Sequence, residues 1–173
     1  ILPVCPTSYG DSPYQSFSTF AGNPYFIDLD MLKDDGLLEL AEYKDIDWES
    51  VPYKVNYGAL YEKRYPVLRK AAERFKQDVP EDYAEFCEKN SFWLDDYALF
   101  MALKDANCDK EWTDWTTLEI SAAVEFGWRF IQYEFFTQWK AVRDYAHENG
   151  IRIIGDIPIY VPLDSSDVWS EPA

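Results

Sequence analysis

Apolar side chains recur at helical spacing along the stretch from Glu119 to Glu148. Successive apolar positions lie three or four residues apart, which places them on one face of a helix. They are Ile120, Val124, Trp128, Ile131, Phe135, Trp139, Val142 and Ala146. The pattern predicts an amphipathic helix about 40 Å long. His147 falls in its last turn and Asn149-Gly150 provides a stop, so we interpret this histidine as a helix-end residue.

Weaker helical signals precede that stretch. Apolar residues from Tyr57 to Phe75 again follow helical spacing, and Pro66 inside this run should kink or split the helix. Pro80 opens a further helix, because proline suits a first helical turn. Ser91 is placed to cap a separate helix over the run FWLDDYALFMALKDA.

Two runs rich in β-branched residues flank these helices, at residues 1–4 and 151–161. A long helix, a tight turn and a buried strand form the second half of a βαβ unit, and residues 1–4 would be its first strand. We therefore predict an α/β fold for the single segment 1–173. A large, mainly helical insertion would occupy about residues 25–118, and residues 119–173 would form the crossover helix and the following strand.

Charge and aromatic content limit the classes of partner that we expect the chain to bind. The formal charge is −16, from 32 acidic and 16 basic residues. A field of this sign repels phosphate backbones and anionic lipid heads, so we expect no nucleic-acid partner and no membrane partner. Aromatic residues make up 18% of the chain. Most of their rings belong in a core, but rings in loops present flat faces that suit sugar rings.

Cysteine and histidine usage argues against metal chemistry. Cys5, Cys87 and Cys108 are widely spaced and the chain has one histidine, which predicts free thiols, no metal site and a cytoplasmic location. We find no phosphate-binding loop and expect no cofactor. No run reaches the roughly 18 apolar residues of a membrane helix, and no signal-peptide pattern is present. The chain begins without Met on an apolar run, so we expect a piece of a longer protein.

Two loops with polar and aromatic residues lie at the ends of the predicted strands: the first polar loop, residues 7–24, and the second polar loop, residues 156–169. The carboxyl ends of neighbouring parallel strands meet at one edge of a sheet, so these loops should converge. Their candidate binding residues are Tyr9, Ser12, Tyr14, Gln15 and Asp164. The two tyrosines would offer stacking faces and the other three would hydrogen-bond hydroxyl groups. This combination predicts a site for a neutral, polyhydroxylated ligand.

The same positions also fit structural roles. Residues 10–13 have the composition of a turn, and residues 164–167 could cap a helix ahead of Trp169. Asp156, inside an apolar run, could be a buried acid bonded to backbone amides. The residues alone leave both interpretations open.

Two long segments carry a family resemblance: LPVCPTSYGDSPYQSFSTFAGNPYFIDLDML near the start and FIQYEFFTQWKAVRDYAHENGIRIIGDIPIYVPLDSSDVWSEP at the end. Both closely resemble 4-alpha-glucanotransferases of the amylomaltase, or disproportionating enzyme, type. The middle of the chain matches less tightly, although WLDDYALFMALKD is also similar to the family. The resemblance therefore covers the whole chain but only about a third of a complete enzyme.

The resemblance implies a segment of a (β/α)₈ TIM barrel running from its second to its third strand. Amylomaltases pass α-1,4-glucan segments to the 4-hydroxyl of another glucan or of glucose, with retention. In the family the nucleophile and the acid/base follow later strands, so both are expected beyond Ala173. Tyr14, with Ser12, matches a sugar contact near the cleavage point, and Asp164 a polar residue that reaches the site. Tyr9 matches the tyrosine of a second glucan site.

An interpretation from another functional class also fits the sequence. The chain could be a non-catalytic glucan-binding module or a helical interaction protein, complete in itself and with its own core. That alternative predicts glucan binding without transfer.

Overall fold

The computed structural model of the chain describes residues 1–171. Within them the helices are α1 (Leu29–Asp34), α2 (Tyr57–Phe75), α3 (Glu81–Ala106), α4 (Ala122–Glu148) and α5 (Ser166–Ser170). Short 3₁₀ helices at Pro24–Phe26, Leu40–Glu42 and Trp112–Asp114 lie between them. In this part of the chain, no helix is both long and apolar enough to cross a membrane.

Helix α4 confirms the long amphipathic helix. The Ser121 hydroxyl caps its first turn by accepting a hydrogen bond from the Ala123 amide at 3.3 Å, which satisfies a donor that the helix itself leaves free. Gly150 follows the last turn with a φ of 71°, a left-handed conformation that costs glycine little. The predicted start at Glu119 was three residues early, since the helix begins at Ala122.

The three long helices bury one apolar core. Its members on α2, α3 and α4 include Leu68, Ala71, Phe75, Leu94, Tyr97, Phe100, Phe130 and Ile131. The Phe75 ring centre lies 4.8 Å from that of Phe130 and 5.4 Å from that of Tyr133. Each fully buried large apolar side chain stabilises the fold by about 1.5–3 kcal/mol relative to an exposed one. The helices of the predicted insertion and the crossover helix therefore share a core.

Two helix breaks that the sequence suggested are absent from the structure described. Ser91 does not cap a separate helix but lies inside the continuous helix α3, where its hydroxyl donates to the Glu88 carbonyl at 3.0 Å. A serine whose hydroxyl bonds within its own helix needs no break there. Pro66 does not split α2, which runs through it. One proline removes one backbone hydrogen bond, and the burial of Val67 and Leu68 beside it holds the helix.

The two predicted strands, residues 1–4 and 151–161, are not assigned as strands in the structure. A strand is defined by a ladder of hydrogen bonds to a neighbour, and here the Ile1 ammonium donates to the Ile154 carbonyl at 2.7 Å. The two segments are thus in contact without a regular ladder. The later run stays open to solvent, with Ile154 81% and Ile159 82% exposed. Over the residues described, the bridges are isolated ones, Thr7 with Ser16 and Val51 with Lys54.

Candidate functional site

The two polar loops do converge, as the sequence predicts. The Tyr14 hydroxyl donates to Asp156 Oδ2 at 2.9 Å, across 142 positions of sequence. The Thr19 hydroxyl donates to Asp167 Oδ2 at 2.7 Å. The Ser166 amide donates to the Phe17 carbonyl at 2.8 Å. These bonds bring the first loop against the segment 156–167.

The first loop owes its shape to a tight backbone turn. Gly10 and Asp11 both have positive φ, 81° and 54°, and the Ser8 amide donates to the Gln15 carbonyl at 2.9 Å. The Ser12 hydroxyl accepts from the Tyr14 amide at 3.3 Å, so it is partly engaged within the loop. The turn interpretation of residues 10–13 is confirmed, and it does not compete with binding, because the turn is what presents the next residues outwards.

Tyr14 and Gln15 lie on the exposed side of this loop. The Tyr14 side chain reaches Asp156, and the hydrogen bond to that carboxylate raises the pKa of the Tyr14 phenol. Asp156 is exposed and also accepts from the Ile157 amide, so its interpretation as a buried acid was wrong. Sequence reasoning passed it over because an acid in an apolar run suggests burial. The structure makes it the partner of Tyr14.

Asp164 occupies a different environment. Its side chain is 7% exposed, and Oδ2 lies 2.5 Å from Lys104 Nζ. Oδ1 accepts from the Trp112 amide at 3.2 Å. Just after it, Ser165 caps α5 by accepting from the Val168 amide at 3.3 Å, which confirms the capping interpretation of this segment.

Lys104 is a residue that the sequence analysis missed. It sits on α3 at the same helical spacing as the buried Tyr97, Phe100 and Met101, so its place in an apolar periodicity was the available signal. A lysine at a core position is rarely buried without a partner. Its ammonium group contacts both Asp164 and the hydroxyl of Tyr9, the latter at 3.4 Å.

Tyr9 lies on the rim of a cleft of about 650 Å³ between the first loop, α2 and α3. We call it the aromatic cleft. Its aromatic lining comprises Tyr9, Phe17, Tyr25, Tyr57, Tyr61, Tyr65 and Trp128. The polar side chains of its lining are Thr7, Ser8, Asp11, Glu62, Arg69, Lys104, Asp105 and Asp109. The Ser8 hydroxyl is buried and has no protein partner among the residues described.

Two phenols of the cleft, those of Tyr9 and Tyr25, have a raised pKa and keep their protons at neutral pH. Burial, with nearby carboxylates led by that of Asp164, raises the pKa of Tyr9 to about 12. Burial, with the charge of Asp11 next, raises the pKa of Tyr25 to about 12. Protonated phenols can donate hydrogen bonds as well as accept them, and their ring faces are apolar. The cleft can therefore bind a neutral ligand that carries both hydroxyl groups and apolar faces.

Residues 1–171 contain no group of three or more His, Cys, Asp or Glu side chains placed to hold a metal ion. Cys5, Cys87 and Cys108 are free thiols.

Comparison with known proteins gives a consistent picture. The family model described as 4-alpha-glucanotransferase matches residues 1–173. The chain is 47% identical over 186 residues to the 4-alpha-glucanotransferase of Clostridium butyricum, covering 99% of this chain and 38% of that protein. It is 43% identical over 190 residues to that of Thermus thermophilus, covering 99% of this chain and 37% of that protein.

A solved structure is similar as well. The amylomaltase from Streptococcus agalactiae, in complex with acarbose, superposes with a TM-score of 0.92 at 38% sequence identity. The match covers 99% of this chain and 38% of that one. The chain thus spans well under half the length of the relatives that it resembles.

Proposed function

Because the chain belongs to the 4-alpha-glucanotransferase family, we propose that the protein carrying it transfers α-1,4-glucan segments to the 4-hydroxyl of another glucan or of glucose. The mechanism would be retaining, through a glycosyl-enzyme intermediate. The observation that carries this proposal is the family match over residues 1–173. The convergence of the two polar loops beside a cleft lined by tyrosine rings and hydroxyls supports it from the structure.

In this proposal residues 1–4 and 151–161 correspond to the second and third strands of a (β/α)₈ barrel. Residues 25–118 would be an insertion and residues 119–173 the crossover helix with its following strand. Retention requires two carboxyl groups about 5 Å apart, one as nucleophile and one as acid/base. By the family resemblance both belong to later strands, so we place them outside this chain.

The glucan near its cleavage point would contact the first loop. Tyr14 offers an exposed ring whose hydroxyl is anchored on Asp156 at 2.9 Å, and an anchored ring loses less freedom when a sugar stacks on it. Ser12 and Gln15 stand beside it with polar groups for sugar hydroxyls. Asp164, expected at this site too, is buried against Lys104.

The aromatic cleft would be the second glucan site, with Tyr9 at its rim. Its volume of about 650 Å³ lies within the range of pockets that hold small ligands. Its lining combines ring faces with hydroxyl, carboxylate and guanidinium groups. Neutral α-1,4-glucans would be the partners, with nucleic acid and membranes excluded on charge, and the free cysteines fit a reducing cytoplasm.

The test is disproportionation of maltotriose by the intact protein, with products separated by chain length. We expect glucose together with longer maltooligosaccharides, and no transfer by residues 1–173 alone. Tyr14→Ala should reduce transfer from maltotriose about tenfold or more, since misplacement of a reacting bond is costly, and should reduce it more than Tyr9→Ala does. Tyr53→Ala, which removes a ring that is 92% exposed, serves as the control.

Several outcomes would contradict the proposal. Glucan binding by the intact protein without transfer would favour a non-catalytic binding module. Transfer by residues 1–173 alone would place the catalytic carboxylates inside this chain. Equal rates for wild type and Tyr14→Ala would remove Tyr14 from the site.

A further inference from the structure

Lys104 connects three segments that are distant in sequence. Its ammonium group donates to Asp164 Oδ2 at 2.5 Å, to the Lys110 carbonyl at 2.9 Å and to the Tyr9 hydroxyl at 3.4 Å. An ammonium group has three donors, and each of them has a protein partner here. The side chain is 2% exposed, so water does not compete for these bonds.

The Tyr9 hydroxyl is held from both sides. It accepts from Lys104 and donates to the Asp109 carbonyl at 2.7 Å. The Lys104 ammonium also lies 5.4 Å from the Tyr9 ring centre and 5.0 Å from that of Phe17, within range of a cation–π attraction. The rings of Tyr9 and Phe17 meet edge to face at 6.2 Å. One ammonium group thus fixes both the hydroxyl and the ring that form the rim of the aromatic cleft.

The same ammonium group ties the rim to the second polar loop. Asp164 belongs to that loop and accepts from the Trp112 amide as well. The Trp112 indole donates to the Leu163 carbonyl at 2.8 Å. The segment 110–112 and the loop around Asp164 are therefore fastened to each other and, through Lys104, to Tyr9.

We propose that Lys104, paired with Asp164, is a positioning residue for the aromatic cleft: it orients the Tyr9 ring and so sets the preference for glucans long enough to reach it. This inference rests on the proposed function of the cleft. It also assigns Asp164 a role that differs from direct contact with the substrate. Asp164 acts on the glucan through Lys104 and Tyr9.

The burial of the Lys104–Asp164 pair decides which variants can test its role. Removing one partner of a buried ion pair leaves an uncompensated charge, whereas replacing both by neutral groups is often tolerated. An apolar pair could fill the same space, but it would not hold the Tyr9 hydroxyl. A neutral pair thus separates positioning from simple stability.

The test compares Lys104→Met/Asp164→Asn, in the intact protein, with Tyr9→Ala and with the triple variant. We expect the neutral pair to lower the ratio of kcat/KM for maltoheptaose to kcat/KM for maltotriose about fivefold, the change that loss of one hydrogen bond produces. The change should lie in KM, and the dissociation constant of maltoheptaose, from calorimetry, should rise by a similar factor. The triple variant should be no worse than Tyr9→Ala, because both act on one ring.

Arg74→Met is the matched control. Arg74 joins the Glu42 carboxylate at 2.6 Å, away from the cleft, so its loss should lower stability and leave the ratio between the two substrates unchanged.

Three results would overturn the inference: an unchanged ratio in the neutral pair, additive losses in the triple variant, or a lowered ratio in Arg74→Met. An unchanged ratio that comes with equal losses on both substrates would make Asp164 a direct contact near the cleavage point. A wild type that binds maltoheptaose but transfers nothing would refute the proposed activity alone, since the dissociation constants still test Lys104. A wild type that does not bind maltoheptaose would refute both.

Discussion

Helix α4 carries Glu134 into the interior, where 5% of the residue remains exposed. Burial disfavours the charged carboxylate and raises the pKa of Glu134 from 4.5 to about 7, with the negative charges of Asp35 and Asp82 adding to the rise. The folded chain therefore holds this proton over a range of pH in which the unfolded chain has released it. Stability should be affected wherever the two states differ in bound protons.

The direction follows from the raised pKa. Glu134 imposes no penalty below pH 4.5, and stability falls as the pH rises from there through about 7. We expect Glu134→Gln to remove a loss on the order of 2–3 kcal/mol between pH 4.5 and pH 8. Urea unfolding of both proteins at several pH values would measure it. The exposed Glu88→Gln should keep the wild-type pH dependence, and a Glu134→Gln protein with that same dependence would contradict the assignment.

At this scale the sequence predicted residue types better than their partners. Tyr9 and Tyr14 stood out as candidates because aromatic rings in a polar, turn-rich loop are uncommon. The contact of Tyr14 with Asp156 joins residues 142 positions apart, and local pattern carries no information on such a pair. Lys104 shows the same limit, because helical spacing indicates that it faces the core but does not identify Asp164 as its partner.

Among the elements, α4 organises its neighbours through two glutamines. The Gln132 side chain accepts from the Gly22 amide at 2.7 Å and donates to the Gly22 carbonyl at 3.1 Å. Gln138, six residues on, makes the same pair of bonds to Asp28, at 2.7 and 3.3 Å. The two side-chain amides thus pair with both backbone polar groups of Gly22 and of Asp28, which mark the ends of one segment. This segment is the exit from the first polar loop.

Of the two glutamine contacts, the one between Gln132 and Gly22 has less room for a change of side chain. Gln132 is fully buried, and a Cβ added at Gly22 would meet the Phe135 ring at 1.9 Å. Gln132→Met keeps the shape but leaves both polar groups of Gly22 unpaired, which should cost about 2–4 kcal/mol in the free energy of unfolding. Chemical denaturation would measure it, with the exposed Gln77→Met as control. A loss below about 0.5 kcal/mol would show that water replaces the glutamine.

Helices were the predictable elements, for a physical reason. The spacing that defines α4 continues over 27 residues, and an amphipathic face of that length has few alternative structures. The helix breaks suggested at Ser91 and Pro66 rested on single residues, and the packing of α3 and α2 overrides their local preference. The β-branched content of residues 1–4 and 151–161 predicted two strands. A strand also needs a neighbouring strand to hydrogen-bond with, and the sequence of one run does not specify that neighbour.

For the molecule as a whole, charge separates the candidate ligands. A formal charge of −16 sets up a field that attracts cations, repels polyanions and leaves neutral glucans unaffected. Salt at 0.5 M screens such a field within a few ångströms. If the ligand is neutral, screening changes neither its encounter rate nor its affinity. A charged ligand would respond strongly to the same change.

We therefore expect the initial rate of transfer from maltotriose to change less than about twofold between 50 and 500 mM NaCl. Over the same range the midpoint of thermal unfolding should rise. The chain has 32 acidic and 16 basic side chains, and screening weakens the repulsion among the excess negative charges. Sodium sulfate at matched ionic strength would separate screening from a specific effect of chloride. A rate that falls tenfold across this range would point to a charged substrate and contradict the assignment of neutral glucans. A rise in the midpoint of thermal unfolding would show that the salt screens the charges of the protein. An unchanged rate of transfer under the same conditions would then mean that the substrate carries no charge.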